Sequence, residues 1–384
     1  MRVLILGGYG TFGGRLAELL VDEPALTLII TGRSEARARE FCRRLTGRVR
    51  CLGAVLDRNG DLDTAFSALR PDLVVDATGP FQTYGDEPYR VVKACLAHRI
   101  DYMDLADGAR FVAGIGQFDD EARAHGIFVL SGVSTCPVLT AAAVRDLAQG
   151  LARLDAVDAG ISPSPYADVG PNVVQAIAAY AGRPITLRRN GTEMTAYALI
   201  ESMRFTIAPP GCVPLKNTRF SLVEVSDIEL LPALWPELRS VWFGAGPTPE
   251  ILHRALSGFA WLVRLGVLRS LTPLAPLFHR AAKFVRWGEH RGGMFVRVRG
   301  RTADGVEVCR SWHLIAEGDD GPFIPSMAAS AIIRRILAGR RPESGARPAT
   351  HELELADYQP MFVTRRIRTG RREETAPSER HSPD

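Results

Sequence analysis

The 384-residue chain is 46% hydrophobic and 23% charged, the composition of a folded protein too long for one ordinary core, so two domains are expected. A net charge of +4 gives no sign of nucleic acid, and almost all the positive charge is arginine, because Lys93, Lys216 and Lys283 are the only lysines. The six cysteines (Cys42, Cys51, Cys95, Cys136, Cys212 and Cys309) stand apart, without a CxxC pair or metal-ligand spacing, so no metal site is expected; with a strand starting at the second residue and no targeting segment, they point to a reducing cytoplasm.

In chain order, residues 2–6 are a short apolar run before glycines, which suits a buried parallel strand. Residues 11–21 carry Phe12, Leu16, Leu19 and Leu20 at helical spacing. Strands are expected at 26–30, 49–56, 72–77, 101–104 and 127–131, and helices at 35–45, 62–69, 88–98 and 117–124. This alternation demands a parallel sheet covered on both faces, a doubly wound Rossmann sheet of the α/β class over residues 1–135. The rhythm then changes. Residues 141–151 read as a helix, while 156–161, 219–225, 295–300 and 306–316 read as strands of a mixed or antiparallel sheet, the last two as a hairpin. A second α+β domain for substrate or oligomerisation is thus expected over 136–324, and a helix at 325–337 opens a C-terminal extension over 325–367. Residues 368–384 are polar and charged and are expected to be disordered. No run of about 18 uncharged apolar residues exists, so no membrane span is expected.

The first strand leads into Gly7-Gly8-Tyr9-Gly10-Thr11-Phe12-Gly13. Glycines there allow a tight turn, close approach of backbone to a pyrophosphate and packing of the helix on the strand, and the N–H groups at the helix start attract the anion. The second strand ends in Thr31-Gly32-Arg33-Ser34, where an NAD site usually has an acid for the ribose 2′-hydroxyl. Arg33 and Ser34 instead suit a 2′-phosphate, with Arg37 nearby, so NADP(H) is the expected cofactor. Asp57 ends the third strand, where it either meets the adenine or closes a turn. Thr78-Gly79-Pro80-Phe81 follows the fourth strand, at the carboxyl edge where the nicotinamide ribose should lie.

These motifs, with Asp76 to Phe81, Tyr102 to Gly108, Ser131 to Pro137, Arg291-Gly292-Gly293 and Gly321 to Pro325, resemble the saccharopine dehydrogenase-like family in its bacterial NADP-binding oxidoreductase branch. The resemblance is strong over residues 1–145, looser over 290–360 and absent from 150–290. It implies a Rossmann domain, a second α+β domain, late helices returning to the first domain, and hydride chemistry on a C=N or C=O group of a small metabolite. Saccharopine-forming members act on an imine of an amino acid and an aldehyde, and other members resemble enoyl reductases acting on long acyl chains.

The candidates for the chemistry itself are Tyr84 as proton donor and Tyr102 and Asp104 of the fifth strand, at the carboxyl edge of the sheet. Asp107, Arg291 and His313 are candidates for gripping substrate; the aspartates read equally well as caps, Arg291 as a solvated arginine and His313 as a satisfied strand residue. Cys136 reads as a buried thiol. Residues 251–287 contain no acid and interleave arginines with Leu, Phe, Trp and Val. Pro273 and Pro276 divide that stretch into two helices that act as a lid or dimer helix, or as a contact for a membrane surface or acyl carrier. The expected partners are therefore a small-molecule substrate, apolar if this segment covers it, and a second copy in a homodimer, and no nucleic acid. Besides the C=N/C=O oxidoreductase, an enoyl-type reductase of a lipid-like or polyketide-like substrate and a non-catalytic NADP(H)-binding sensor remain open.

Overall fold

Strand β1 (Arg2–Leu6) is apolar along its length, and Val3 to Leu6 are completely buried, as a strand covered on both faces requires. The computed structural model describes residues 1–167, 170–284 and 286–374, and these fall into two compact units. One unit draws on Met1–Leu139, Asp168–Ala176 and Pro322–Tyr358, the other on Thr140–Ala167, Ile177–Gly321 and Gln359–Asp384.

In the first unit β1 is joined by β2 (Thr27–Gly32), β3 (Arg50–Val55), β4 (Leu73–Asp76), β5 (Asp101–Asp104) and β6 (Phe128–Ser131). Their spatial order is β6-β5-β4-β1-β2-β3, all parallel, with the late strand Gly345–Pro348 added beside β6. This is the doubly wound Rossmann order, with its switch between β1 and β4. Helix α1 (Thr11–Leu19) lies between β1 and β2, and α2 (Glu35–Arg44) between β2 and β3. A core of Leu4, Leu6, Val74, Phe66, Tyr102 and Val129, among others, fills the space beneath the helices. The late helix Ile324–Leu337 belongs to this unit, and its Ser326 Oγ donates to the Phe12 carbonyl at 2.9 Å.

The second unit is built on a mixed seven-stranded sheet. Arg153–Ser162 runs parallel to Ser240–Ala245 and antiparallel to Arg291–Arg301, which forms the expected hairpin with Glu307–Glu317. Phe205 stacks on Phe295 with ring centroids 3.9 Å apart, and Phe220 meets the same ring edge-on at 5.0 Å.

Two expectations are corrected. Residues 368–374 are not disordered: Ile367–Glu374 is an edge strand paired antiparallel with Glu307–Glu317. Its hold comes from the backbone ladder and from Arg371 on Asp146, which a hydropathy pattern does not register. The remainder of that tail, 375–384, lies outside the described residues. Nor are the cysteines all isolated: α2 packs beside β3, bringing the Cα atoms of Cys42 and Cys51 to 5.5 Å, and the two form a disulfide. Among the described residues no helix is long and apolar enough to cross a membrane.

Candidate dinucleotide and active site

The chain leaves β1 at Leu6 and turns through Gly7, whose φ of +75° favours glycine. A Cβ on Gly13 would stand 2.4 Å from the Gly7 carbonyl oxygen, so only glycine lets α1 start this close to the loop. No side chain caps α1 and no acid lies in its first turn. The positive end of the helix is therefore open to an anion, with Gly10, Thr11, Phe12 and Gly13 around it, and these residues fit a pyrophosphate.

Tyr9, which sequence reasoning passed over, ties this loop to the tip of β2. Its hydroxyl accepts from the Ser34 N–H at 3.0 Å, its ring packs where a Gly32 side chain would otherwise be, and the Arg37 guanidinium lies 4.9 Å above the ring. Ser34 Oγ accepts from the Arg37 N–H at 3.4 Å and caps α2, which leaves its own O–H to donate. Arg39 is paired with Glu35, whereas exposed Arg33 has no acidic partner among the described residues. Asp57 is exposed past β3, and one carboxylate oxygen closes a turn by accepting from the Asn59 N–H at 2.9 Å.

At the end of β4 a hydrogen-bonded chain runs outward. Asp76 Oδ1 accepts from the Thr78 N–H at 3.0 Å and from its hydroxyl at 2.6 Å, and the Thr78 and Tyr84 hydroxyls are 2.6 Å apart. With the Thr78 proton given to Asp76, Tyr84 donates to Thr78. Burial pushes the Asp76 pKa up against these hydrogen bonds, and burial, then the nearby Asp76 charge, pushes the Tyr84 pKa up, so the phenol stays protonated. Phe81 and Phe111 pack on the Tyr84 ring, and Arg58, absent from the sequence-based candidates, lies 3.4 Å above it. Asn172 was missed as well: its Nδ2 donates to the carbonyls of Thr78 and Gly79 at 3.0 and 2.9 Å, holding the loop that ends in the cis Gly79–Pro80 bond.

The candidates on β5 are corrected. Tyr102 is completely buried in the core, and its hydroxyl has no partner among the described residues, so it cannot touch a substrate. Asp104 is also completely buried; its Oδ1 accepts from the Gly132 N–H at 2.8 Å, the Ala106 N–H at 3.0 Å and the Ser131 hydroxyl at 3.0 Å. It stitches the ends of β5 and β6 together, and burial pushes its pKa up to about 7. Asp107 differs: it is exposed along one side, accepts from Gln82 Nε2 at 3.0 Å, and has its pKa raised by the protein around it.

Arg291 and His313 belong to the second unit, and neither is free. Arg291 pairs with Glu289 and donates to the Val213 carbonyl at 2.6 Å. His313 Nδ1 accepts from the Ala208 N–H at 3.1 Å, Nε2 lies 2.8 Å from the Ser311 hydroxyl, and burial lowers its pKa to about 4. Both are structural, the arginine because a carboxylate two residues away claims it, the histidine because both ring nitrogens are satisfied.

A parallel 3-2-1-4-5-6 sheet, an open helix N-terminus at a glycine loop and polar side chains at the switch point define a nicotinamide dinucleotide-binding domain of dehydrogenase type. Residues 3–130, one third of the chain, match the family model for the saccharopine dehydrogenase NADP binding domain. The fold is shared with apo histidine-tagged saccharopine dehydrogenase (L-Glu forming) from Saccharomyces cerevisiae, with a TM-score of 0.65 at 15% identity over 97% of this chain and 100% of that one. A looser likeness is found to a meso-dapdh mutant with DAP from Clostridium tetani E88, with a TM-score of 0.45 at 13% identity over 94% of this chain and 96% of that one. No curated protein matches the sequence.

Proposed function

We propose that the protein is an NADP(H)-dependent oxidoreductase that moves a hydride to or from a C=N or C=O group of a small metabolite. The observation that carries the NADP preference is Arg33, an unpaired guanidinium at the acid-free tip of β2, beside the open end of α1. The bound nicotinamide supplies or takes the hydride. The amides of Thr11, Phe12 and Gly13 hold the pyrophosphate, and Arg33, Ser34 and Arg37 hold the 2′-phosphate. Thr78 to Phe81, braced by Asn172, support the nicotinamide ribose. Tyr84 keeps its proton and, turned from Thr78 towards a bound acceptor, offers it as a hydrogen bond to the charge that develops there. Asp107, accessible and held by Gln82, pairs with a substrate amine or iminium.

The test is fluorescence titration of Arg33→Ala with both cofactors. Loss of a charge-assisted contact should weaken NADPH roughly tenfold to a hundredfold and NADH little. Equal affinity of the unaltered protein for both cofactors would sink the 2′-phosphate assignment. A second reading, an enoyl-type reductase of a lipid-like acyl substrate, draws on the exposed apolar side chains of Glu250–Arg264 and Ala275–Phe284. Turnover on imines, aldehydes and enoyl thioesters separates the two, and NADPH binding without turnover on any of them supports a sensor.

A further inference from the structure

Helix Glu250–Arg264 is built inside out. The side it buries carries His253, Ser257, Ala260 and Val263, only the last of them a branched apolar side chain, and His253 Nε2 lies 2.8 Å from the Ser221 hydroxyl there. The opposite side, residues 251, 255, 258, 262 and 265, recurs at helical spacing and is exposed throughout, although it is apolar apart from Gly258. A lid packed on a core would show the reverse pattern. The exposure continues beyond the helix: Ile251, Leu265, Val267, Leu277, Phe284 and Trp287 are 66, 67, 67, 60, 88 and 74% exposed. Among the described residues, nine of the fourteen exposed large hydrophobic side chains fall within residues 251–287. Such a concentration marks an interaction surface rather than ordinary surface scatter. Phe259 and Phe278, 5.5 Å apart, join this helix to Ala275–Phe284.

Charge decides the partner. Between Glu250 and Glu289 the chain has six cations (Arg254, Arg264, Arg269, Arg280, Lys283 and Arg286) and no acid. A two-fold interface through this surface would set the same cations against themselves. An anionic lipid surface complements them, and it accepts the apolar side chains and the tryptophans at its headgroup boundary. We infer that residues 251–287 dock this protein onto anionic membrane surfaces, lying in the interface rather than crossing it, in keeping with the absence of a spanning helix among the described residues.

Co-sedimentation of the full chain with phosphatidylcholine vesicles, with and without about one third phosphatidylglycerol, tests this. The protein should pellet with the anionic vesicles, remain in solution with the neutral ones, and be released by salt. Arg280→Ala/Arg286→Ala should lower the partition constant roughly thirtyfold, at about fivefold per cation. Phe284→Ser/Trp287→Ser should abolish pelleting; all four residues are exposed, and unchanged melting curves verify the fold. Absence of pelleting, equal pelleting with neutral vesicles, or a vesicle-free dimer that Phe284→Ser/Trp287→Ser dissociates would each overturn the inference, the last by showing that a second copy covers the surface.

Discussion

Replacing Asp104 by Asn changes one atom and removes one titration. The Asn Oδ1 can still accept from Gly132, Ala106 and Ser131, and its amide takes the place of an oxygen with no partner among the described residues. In the native fold the carboxyl titrates at about 7, against an ordinary value of 3.8 that the unfolded chain recovers. Because the folded pKa is the higher, the folded state holds the proton more tightly. Stability from this group is complete below about pH 4 and is lost as the pH rises towards 7, where the buried carboxylate must ionise. That gap amounts to roughly 3 kcal/mol lost between pH 4.5 and pH 8, a loss the Asn variant does not share. Denaturant midpoints of wild type and Asp104→Asn across that range give the difference directly. The variant should gain on wild type by roughly that amount as the pH rises. A difference that stays constant from pH 4.5 to pH 8 would show that Asp104 does not titrate there, and the account of its burial would be wrong.

Gly13→Ala sets a methyl 2.4 Å from the Gly7 carbonyl oxygen, a backbone atom that cannot swing aside, so it should cost about 3 kcal/mol and abolish NADPH titration, while unaltered binding would show that the loop yields. Asn172→Ala frees two carbonyls of the loop at Thr78 and Gly79 and should cost about 1–2 kcal/mol, read as faster amide exchange from 78 to 84; unchanged exchange would mean that the clamp holds nothing. Breaking the Cys42–Cys51 bond, which spans 9 residues, should cost about 2.5 kcal/mol in the chain-entropy account. Dithiothreitol should therefore lower the melting temperature of wild type but leave Cys42→Ala/Cys51→Ala unmoved, and a wild type indifferent to the reductant would show that the thiols are unbonded.

What was legible in the sequence was local. Six of the seven strands of the parallel sheet could be placed within a few residues because each is an apolar run bounded by turns, whereas Gly345–Pro348 was missed, and the glycine loop and Arg33 are read from contiguous residues. Thr192–Tyr197 was missed because its side chains are mostly exposed and leave no alternating pattern, and Ile367–Glu374 because its hold comes from backbone and ion pairs. Tyr9 and Asn172 acquire their roles from partners 25 and more than 90 residues away, which no local motif encodes. Tyr102 was misplaced for a different reason. The end of a parallel strand marks the sheet edge, but Tyr102 is the second residue of β5, and a strand covered on both faces buries the side chains on either side.

Asp76 and Asp104 show what the sheet edge does with a carboxylate. They are register partners on β4 and β5, and each accepts from the N–H two residues on, so each closes the turn by which the chain leaves its strand. Their environments then part. Around Asp104 the remaining donors are Ser131 and Gly132 from the neighbouring β6, which seal it completely. At Asp76 the next donor is the Thr78 hydroxyl, and beyond it stands the half-buried Tyr84. The same residue in the same strand position is scaffold where the adjoining strand closes over it and the root of a hydrogen-bonded chain where a loop leads outward. If the proposed function holds, a substitution in the Thr78–Tyr84 loop should alter turnover at a stability cost smaller than one at Asp104, whose bonds join two strands.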